Sequence, residues 1–537
     1  MKKPELLLPA GNLDRLKTAI LYGADAVYCG TPDMSLRVKS GFTLEDVVEG
    51  IEFAHARGKK VYLTLNLFSH NKDIEKLPQF IETVKTVNPD GLIISDPGVF
   101  QFVKEHAPEL ELHISTQANV CSWLTVDFWQ KQGASLVVMA REVAFEELAE
   151  IREKCPNIKI ETFVHGSMCM TYSGRCLLSN FMAERGANQG SCAHSCRWGY
   201  KLKIKLKDNT EHEIEINENN KDLFDFFLEE EVRPGQFLPF EEDVHGSYIL
   251  NSKDLCLLPK LDEYIKLGLD SFKVEGRNKT EFYAGSVARV YRAAIDDYVR
   301  DPQNWKADDY MDEINSVANR GYTLAFHEGR LTNLAHDYES TGSTSFYEFA
   351  GKVVEWQGDD LIFEAKNRLA AGDVLEFLSP QMRDPILIRM YEFNYSKDGK
   401  NWQISDVVNA GIKPLVKIPA NAFHLIEKEK LKELLPQFSL IRKEKMLDDS
   451  ETLKVESRQL SHQLEAGEVR EMKYEAKRKK YFQALEIADP QIAPRTPRVG
   501  KEGCCGKGCN GCLIFWHDDK YAKAREILKT KKIGEML

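Results

Sequence analysis

Over the first 165 residues one pattern recurs. A short run of apolar, β-branched residues gives way to a stretch whose apolar positions return every three or four residues, and then the run comes again. Such runs stand at "ELLLPA" (5–10), "AVYCG" (26–30), "KVYLTLN" (60–66), "GLIISD" (91–96), "ELHIST" (111–116), "LVVMA" (136–140) and "IKIETFVHG" (158–166). They predict strands, and "LDRLKTAILYGA" and "FEELAEIREKC" between them predict amphipathic helices. An eighth run, "SFKVEG" (271–276), follows a long excursion and leads into helical "TEFYAGSVARVYRAAIDDYV". Eight such units over 1–300 predict an α/β fold, a (β/α)8 TIM-like barrel. A doubly wound open sheet also alternates strands and helices. The count of eight and the helix after the last strand favour the barrel.

The pattern then changes. Residues 200–255 form an insertion in which "YKLKIKLKDNTEHEIEI" alternates about Asp208 and Asn209 and predicts a β-hairpin. A polar helical connector is expected at 301–345. Short alternating runs at 346–420 predict a small all-β barrel. Residues 421–487 are charged and read as helical, 488–503 ("ADPQIAPRTPRVGKEG") as a linker, and 504–537 as a Cys-rich metal-binding tail.

Composition narrows the class. The chain has 537 residues, 43% hydrophobic and 29% charged, which suits a soluble protein of two to four domains. "MKKPELLLPAGNLD" is broken by Pro9 and Gly11 and makes a poor signal peptide. No apolar run is long enough to span a membrane. A cytoplasmic location is expected, with no membrane partner. A net charge of −11 argues against non-specific coating of nucleic acid, though not against a local basic groove. From residue 451 on, 18 Lys/Arg stand against 13 Asp/Glu. "EAKRKKYFQ" and "KAREILKTKK" there read equally as RNA-phosphate contacts or as solvated helix faces.

Twelve cysteines in a reducing compartment point to metal or redox chemistry rather than disulfides. Cys169, Cys176, Cys192 and Cys196 share the loop 167–200, just past the seventh strand, where a barrel carries its catalytic mouth. Four thiolates suit zinc or an iron–sulfur cluster. The spacing is neither a zinc ribbon nor the compact ferredoxin run, and the position at the mouth puts iron–sulfur ahead. Free buried thiols are the plainer reading, and it fits Cys29, Cys121 and Cys155 better. Cys256 competes with Cys196 as fourth ligand. In the tail, Cys504, Cys505, Cys509 and Cys512, with His517 behind them, suit a second cluster, a zinc ion or a redox dithiol.

Other candidates lie at strand ends: Asn66 with His70, Asp96, Ser115–Thr116–Gln117, Arg141, His165, and Lys273, Glu275 and Arg277. Alternation puts the last three on one side of their strand. Facing the barrel interior, they need each other or a ligand as partners. Arg141 and Arg277 suit a carboxylate or phosphate. A structural ion-pair network explains any one of these residues equally well. His70 and His113 are weaker candidates still.

The stretch "ETFVHGSMCMTYSGRCLLS", with "LLLPAGNLDRLKTAILYGADAVY", "STQANV", "CRWGY", "YILNSKDL" and "KVEGRNK", resembles the collagenase-like peptidase family of unknown catalytic type. The resemblance covers roughly residues 4–435 and is strongest to the family's tRNA-hydroxylating branch. It implies oxygen-independent hydroxylation supported by a 4Fe–4S cluster, with tRNA as partner. C5 hydroxylation of the wobble uridine to 5-hydroxyuridine is the implied reaction, with prephenate as co-substrate and a hydroxyl donor and electron donor as further small partners. Sister branches act on 23S rRNA and on a quinone precursor. The family name also implies a peptidase. Neither G-x-S-x-G nor H-E-x-x-H occurs, so a Cys–His dyad using His165 or His194 is the remaining form of that reading. A non-catalytic cluster-binding partner of another hydroxylase is a third reading.

Overall fold

The computed structural model describes residues 2–30, 42–66, 69–168, 252–329, 343–381, 384–423 and 426–445. It also describes the short stretches 171–172, 203–204, 214–215, 226–229, 237–243 and 246–248 and positions 196, 335, 447 and 455. The eight predicted runs become strands β1 (Glu5–Pro9), β2 (Ala26–Gly30), β3 (Lys60–Leu65), β4 (Gly91–Ile94), β5 (Glu111–Ile114), β6 (Leu136–Val138), β7 (Lys159–Ser167) and β8 (Ser271–Val274). Each pairs in parallel with the next, and β8 pairs with both β7 and β1. That closure settles the choice between barrel and open sheet.

Helices α1 (Leu13–Leu21), α2 (Leu44–His55), α3 (Leu77–Val87), α4 (Pro97–His106), α5 (Trp123–Gln132), α6 (Phe145–Lys154), α7 (Leu261–Lys266) and α8 (Glu281–Arg300) follow β1 to β8 in turn. Several begin on a side chain that satisfies an orphan N–H. Asn12 accepts from Arg15 N, Thr43 from Asp46 N, Ser122 from Thr125 N and Thr280 from Tyr283 N. Successive strand residues face opposite ways. Leu6, Leu8, Val27, Val61, Leu63 and Leu92 therefore join the helices in one large core, while Leu7, Ala26, Tyr28, Tyr62 and Ile93 form a separate cluster inside the barrel.

Two short strands escape the sequence pattern. Asp254–Cys256 pairs antiparallel with the far end of β7, and Tyr322–Thr323 pairs in parallel with it. Runs of three and two residues are too short to show a period. The second also interrupts the expected helical connector at 301–345, whose helix is Asp308–Asn315.

The C-terminal sheet contains β9 (Tyr347–Gln357), β10 (Asp360–Ala365), β11 (Val374–Leu378), β12 (Ile386–Arg389), β13 (Phe393–Ser396), β14 (Trp402–Ser405), β15 (Leu415–Pro419) and β16 (Leu440–Glu444). All pairs are antiparallel, in the order β12-β11-β16-β9-β10-β15-β13-β14. The sheet curls around Phe363, Phe377, Phe393 and Val416 as a half-barrel. β16 falls where a charged helical segment is expected, and the helix there is only Lys428–Leu434. Charge misleads at "LIRK", because Arg442 and Lys443 are buried in ion pairs. Arg442 meets Glu376 at 2.7 Å and Glu313 at 3.0 Å, and Lys443 meets Asp373 at 2.8 Å.

Barrel and sheet share one core, since Leu378 and Leu440 pack into the barrel's cluster. The buried Tyr22 hydroxyl donates to Leu378 O and accepts from Leu440 N at 2.8 Å. Lys352 of β9 meets Asp14 at 2.6 Å and Glu281 at 3.1 Å.

Gly199–Ile249 with Gln463–Leu537 makes a separate unit. In it Lys203–Ile204 pairs antiparallel with Ile214–Glu215, on either side of the predicted hairpin turn. Phe226–Glu229, Phe237–Asp243 and Gly246–Tyr248 form a three-stranded antiparallel sheet. The linker at 488–503 and the tail with Cys504, Cys505, Cys509 and Cys512 lie outside the described residues. Among the described residues no helix is long and apolar enough to cross a membrane.

Candidate active site

Inside the barrel a lysine and a glutamate pair. Lys273 and Glu161 are 4% and 0% exposed, with Nζ 2.7 Å from Oε1. The Ser271 hydroxyl donates to the other Glu161 oxygen at 2.7 Å, and Lys273 Nζ lies 4.5 Å from the Tyr28 ring centre. Glu161 was not among the sequence candidates. Its signal was an acid in the middle of the predicted strand "IKIETFV", between Ile160 and Phe163. Towards the N-terminal end, Tyr62 OH donates to Glu5 at 3.1 Å, and His113 Nε2 lies 3.3 Å from Glu111. Burial pushes the Glu5 carboxyl up to about 7, reinforced by the charge of Glu161 and opposed by Lys60 and the Tyr62 hydrogen bond. Glu111 is held at about 2, first by its hydrogen bond with His113.

The C-terminal ends of the strands bring a second set together. Arg141, beyond β6, donates from Nη2 to Glu275 Oε2 at 3.2 Å, and its guanidinium lies 3.9 Å from the Phe163 ring centre. Arg277 Nη1 donates to Thr64 Oγ1 at 3.4 Å, and Arg15 Nη1 donates to the Arg277 carbonyl at 3.0 Å. Lys273, Glu275 and Arg277 thus share the inner side of β8 and its extension, and these contacts tie them to β7, to the segment beyond β6 and to β3. Gly11 permits the approach of this loop to α1: a Cβ there would stand 2.2 Å from the Arg277 carbonyl oxygen. Asn66 Nδ2 donates to Ser115 Oγ at 3.4 Å, and Thr116 donates to Met139 O at 3.3 Å.

Other candidates have local duties. Asp96 caps α4 by accepting from Val99 N at 3.0 Å. His70 precedes the short helix Asn71–Ile74, its N–H donating to Asp73 at 3.0 Å. His165 is buried beside Tyr283, Tyr291 and Tyr322, with Nδ1 3.4 Å from Tyr291 OH. Its cross-strand partner is Cys256, fully buried, whose thiol lies 3.7 Å from the same hydroxyl. Burial pushes the Cys256 thiol up to about 12. A nucleophile needs a thiolate and access to substrate, so this adjacent His–Cys pair is poorly built for peptide cleavage.

Cys29 is likewise buried, and burial pushes its thiol up to about 12. Cys155 is buried, Cys121 exposed and Cys196 half-buried. Cys169, Cys176 and Cys192 lie outside the described residues, as does His194. Among the described residues no group of three or more His, Cys, Asp or Glu is placed to hold a metal ion.

Comparison with known proteins gives this mouth a context. "tRNA hydroxylation protein P" of Escherichia coli (strain K12) is 41% identical over 403 residues, covering 71% of this chain and 87% of that protein. "tRNA hydroxylation protein P1" of Bacillus subtilis (strain 168) is 36% identical over 387 residues, covering 71% and 85%. "Collagenase" of Porphyromonas gingivalis (strain ATCC BAA-308 / W83) is 28% identical over 436 residues, covering 77% and 97%. The model of Peptidase family U32 matches residues 11–336, from just before α1 to beyond α8, and this chain belongs to that family.

Proposed function

We propose that this chain hydroxylates tRNA at the barrel mouth. The observation that carries the reading is the 41% identity to the Escherichia coli tRNA hydroxylation protein P over 87% of that protein's length. The finer reading is oxygen-independent C5 hydroxylation of the wobble uridine, in the cytoplasm, with prephenate required. Cys169, Cys176, Cys192 and Cys196 would hold a 4Fe–4S cluster. The donor set fits such a group: β7 ends at Ser167, two residues before Cys169, and four thiols fall within the 28 residues from Cys169 to Cys196. Cys29 and Cys256, by contrast, are buried thiols held protonated. When bound, the cluster would supply electron transfer or Lewis acidity.

The chain's own residues account for the rest. Prephenate is a dicarboxylate, and Arg141 and Arg277 offer two guanidinium groups at the mouth. Glu275 and the Phe163 face orient the first, and Thr64 orients the second. Lys273 within the barrel is neutralised by Glu161 and leaves anion binding to the two arginines.

Nucleoside analysis of tRNA from cells lacking this protein, grown without oxygen, tests the reading. Loss of 5-hydroxyuridine or its derivatives is expected. Unchanged tRNA with altered ribosomal RNA or quinone would move the chain to another branch of its family. Iron and sulfide analysis of anaerobically purified protein ending at residue 500 should find about four of each. Zinc alone would reject the cluster. The same assignment is checked by Cys196→Ala, which should lose iron, against Cys256→Ala, which should keep it.

A further inference from the structure

The extension of β8 carries Glu275 and Arg277 on either side of Gly276. Gly276 sits at φ +152, a backbone region that glycine enters and leaves at little cost. Left to itself it is a hinge between the partner of Arg141 and the second arginine. One carbonyl on each side of it is clamped. Tyr283 OH donates to Glu275 O at 2.7 Å, and Arg15 Nη1 donates to Arg277 O at 3.0 Å. The second clamp comes from α1, 262 positions away in the sequence.

Arg15 is a costly way to fill its place. It is half-buried, and burial lowers its pKa while the charge of Glu281 opposes that shift. Its Nε is buried with no hydrogen-bond partner among the described residues. The fit is close, since a Cβ on Gly11 would stand 2.5 Å from Arg15 Nη1. An apolar side chain of similar length would fill the space without taking a charge out of water. What it would not supply is the donor to Arg277 O.

Arg277 is half-buried, so solvent reaches part of it. Its side chain is held lightly. Nη1 donates to Thr64 Oγ1 at 3.4 Å, a long bond, and the guanidinium carbon lies 5.7 Å from the Tyr28 ring centre. A guanidinium fork grips a carboxylate through two parallel bonds, which requires the fork to be aimed before the ligand arrives. With light side-chain contacts, the aim depends on the backbone that bears the fork.

We propose that Arg15 is a positioning residue for anion binding: by clamping the Arg277 carbonyl it stills the Gly276 hinge and keeps the Arg277 guanidinium turned to the mouth. This rests on the reading of Arg277 as a contact for an anionic co-substrate. It adds α1 to the elements that build the site, through a residue that acts on Arg277 rather than on the ligand.

The test titrates prephenate, the proposed co-substrate, into the full chain purified anaerobically and into its variants. Arg15→Met should weaken binding about tenfold, the size of one hydrogen bond from a charged donor. In an Arg277→Met background the same change should alter affinity less than about twofold, because the group being aimed is gone. In an Arg141→Met background it should again cost about tenfold. A general loss of structure would weaken binding in every background alike. Arg15→Gln, too short to reach the carbonyl, repeats the series if the Met variant does not fold, and melting curves set a temperature at which all the proteins compared are folded. Wild-type affinity in a folded Arg15 variant overturns the inference alone, as does a tenfold loss that persists without the Arg277 side chain. No binding by the wild type, or binding untouched by Arg277→Met, overturns the reading of Arg277 and this inference with it.

Discussion

At the scale of single residues, the barrel interior is organised by burial. Two charges 2.7 Å apart at Lys273 and Glu161 persist because each satisfies the other and Ser271 takes a further lone pair. Glu5 has weaker partners, with Lys60 Nζ 3.9 Å away, and burial dominates its titration. Its carboxyl moves from an ordinary 4.5 to about 7. Between those values the folded state holds a proton that the unfolded chain has lost. The contribution of Glu5 to stability is therefore complete below about pH 4.5, declines as pH rises, and is lost above about pH 7. The difference is on the order of 2–3 kcal/mol. Urea unfolding of wild type and Glu5→Gln at pH 5 and pH 8 measures it: the variant should gain stability relative to wild type by that amount at the higher pH. Equal differences at the two pH values would show that Glu5 ionises normally. Part of this scale was legible, because strict alternation in "KVEGR" put those three residues on one side of the strand, though not which side faces inward. Their partners Glu161 and Thr64 were not legible, since pairing across a barrel depends on register, which one strand does not reveal.

At the scale of elements, the mouth depends on a close contact between β7 and the extension of β8. Gly166 sits at φ +118, and a Cβ there would stand 2.5 Å from the Glu275 carbonyl oxygen and 2.9 Å from its Cβ. Left-handed backbone and lack of space both require glycine at this position. Gly166→Ala should destabilise the protein by about 1–3 kcal/mol and disturb the Arg141–Glu275 pair. Denaturant unfolding reads the first effect. A weakened response of the KM for the proposed co-substrate, prephenate, to a further Glu275→Gln change reads the second. An unchanged unfolding midpoint would refute the contact. The eight barrel strands were legible because each is long enough to show a pattern and is followed by a helical period. β16 was not, because its buried Arg442 and Lys443 look like surface charge until Glu376, Glu313 and Asp373 are seen beside them.

At the scale of the whole molecule, the β9–β16 sheet completes the barrel's core instead of hanging from it. Leu378 and Leu440 fill barrel space, and Tyr22 bonds to both backbones. A chain ending at residue 345 should lose the cooperative unfolding transition, whereas one ending at residue 462, where the barrel-and-sheet unit ends, should keep the wild-type midpoint. Calorimetry of the two chains decides. A stable, cooperative barrel from the shorter chain would contradict the shared core.

The pairing of Ser167 with Asp254 has a wider consequence. The chain leaves β7 and comes back stitched to the same strand, so the intervening segment is a cassette with both attachment points side by side. Closing a loop costs only slowly more as it lengthens. Such a cassette is free to grow, shrink or be exchanged while the barrel keeps its register. All four cysteines from Cys169 to Cys196 travel inside it, whereas Arg141, Glu275 and Arg277 stay with the scaffold. Descent with modification can therefore act on the inserted segment and on the scaffold separately, renewing one as a single block while the other is held fixed by its strands.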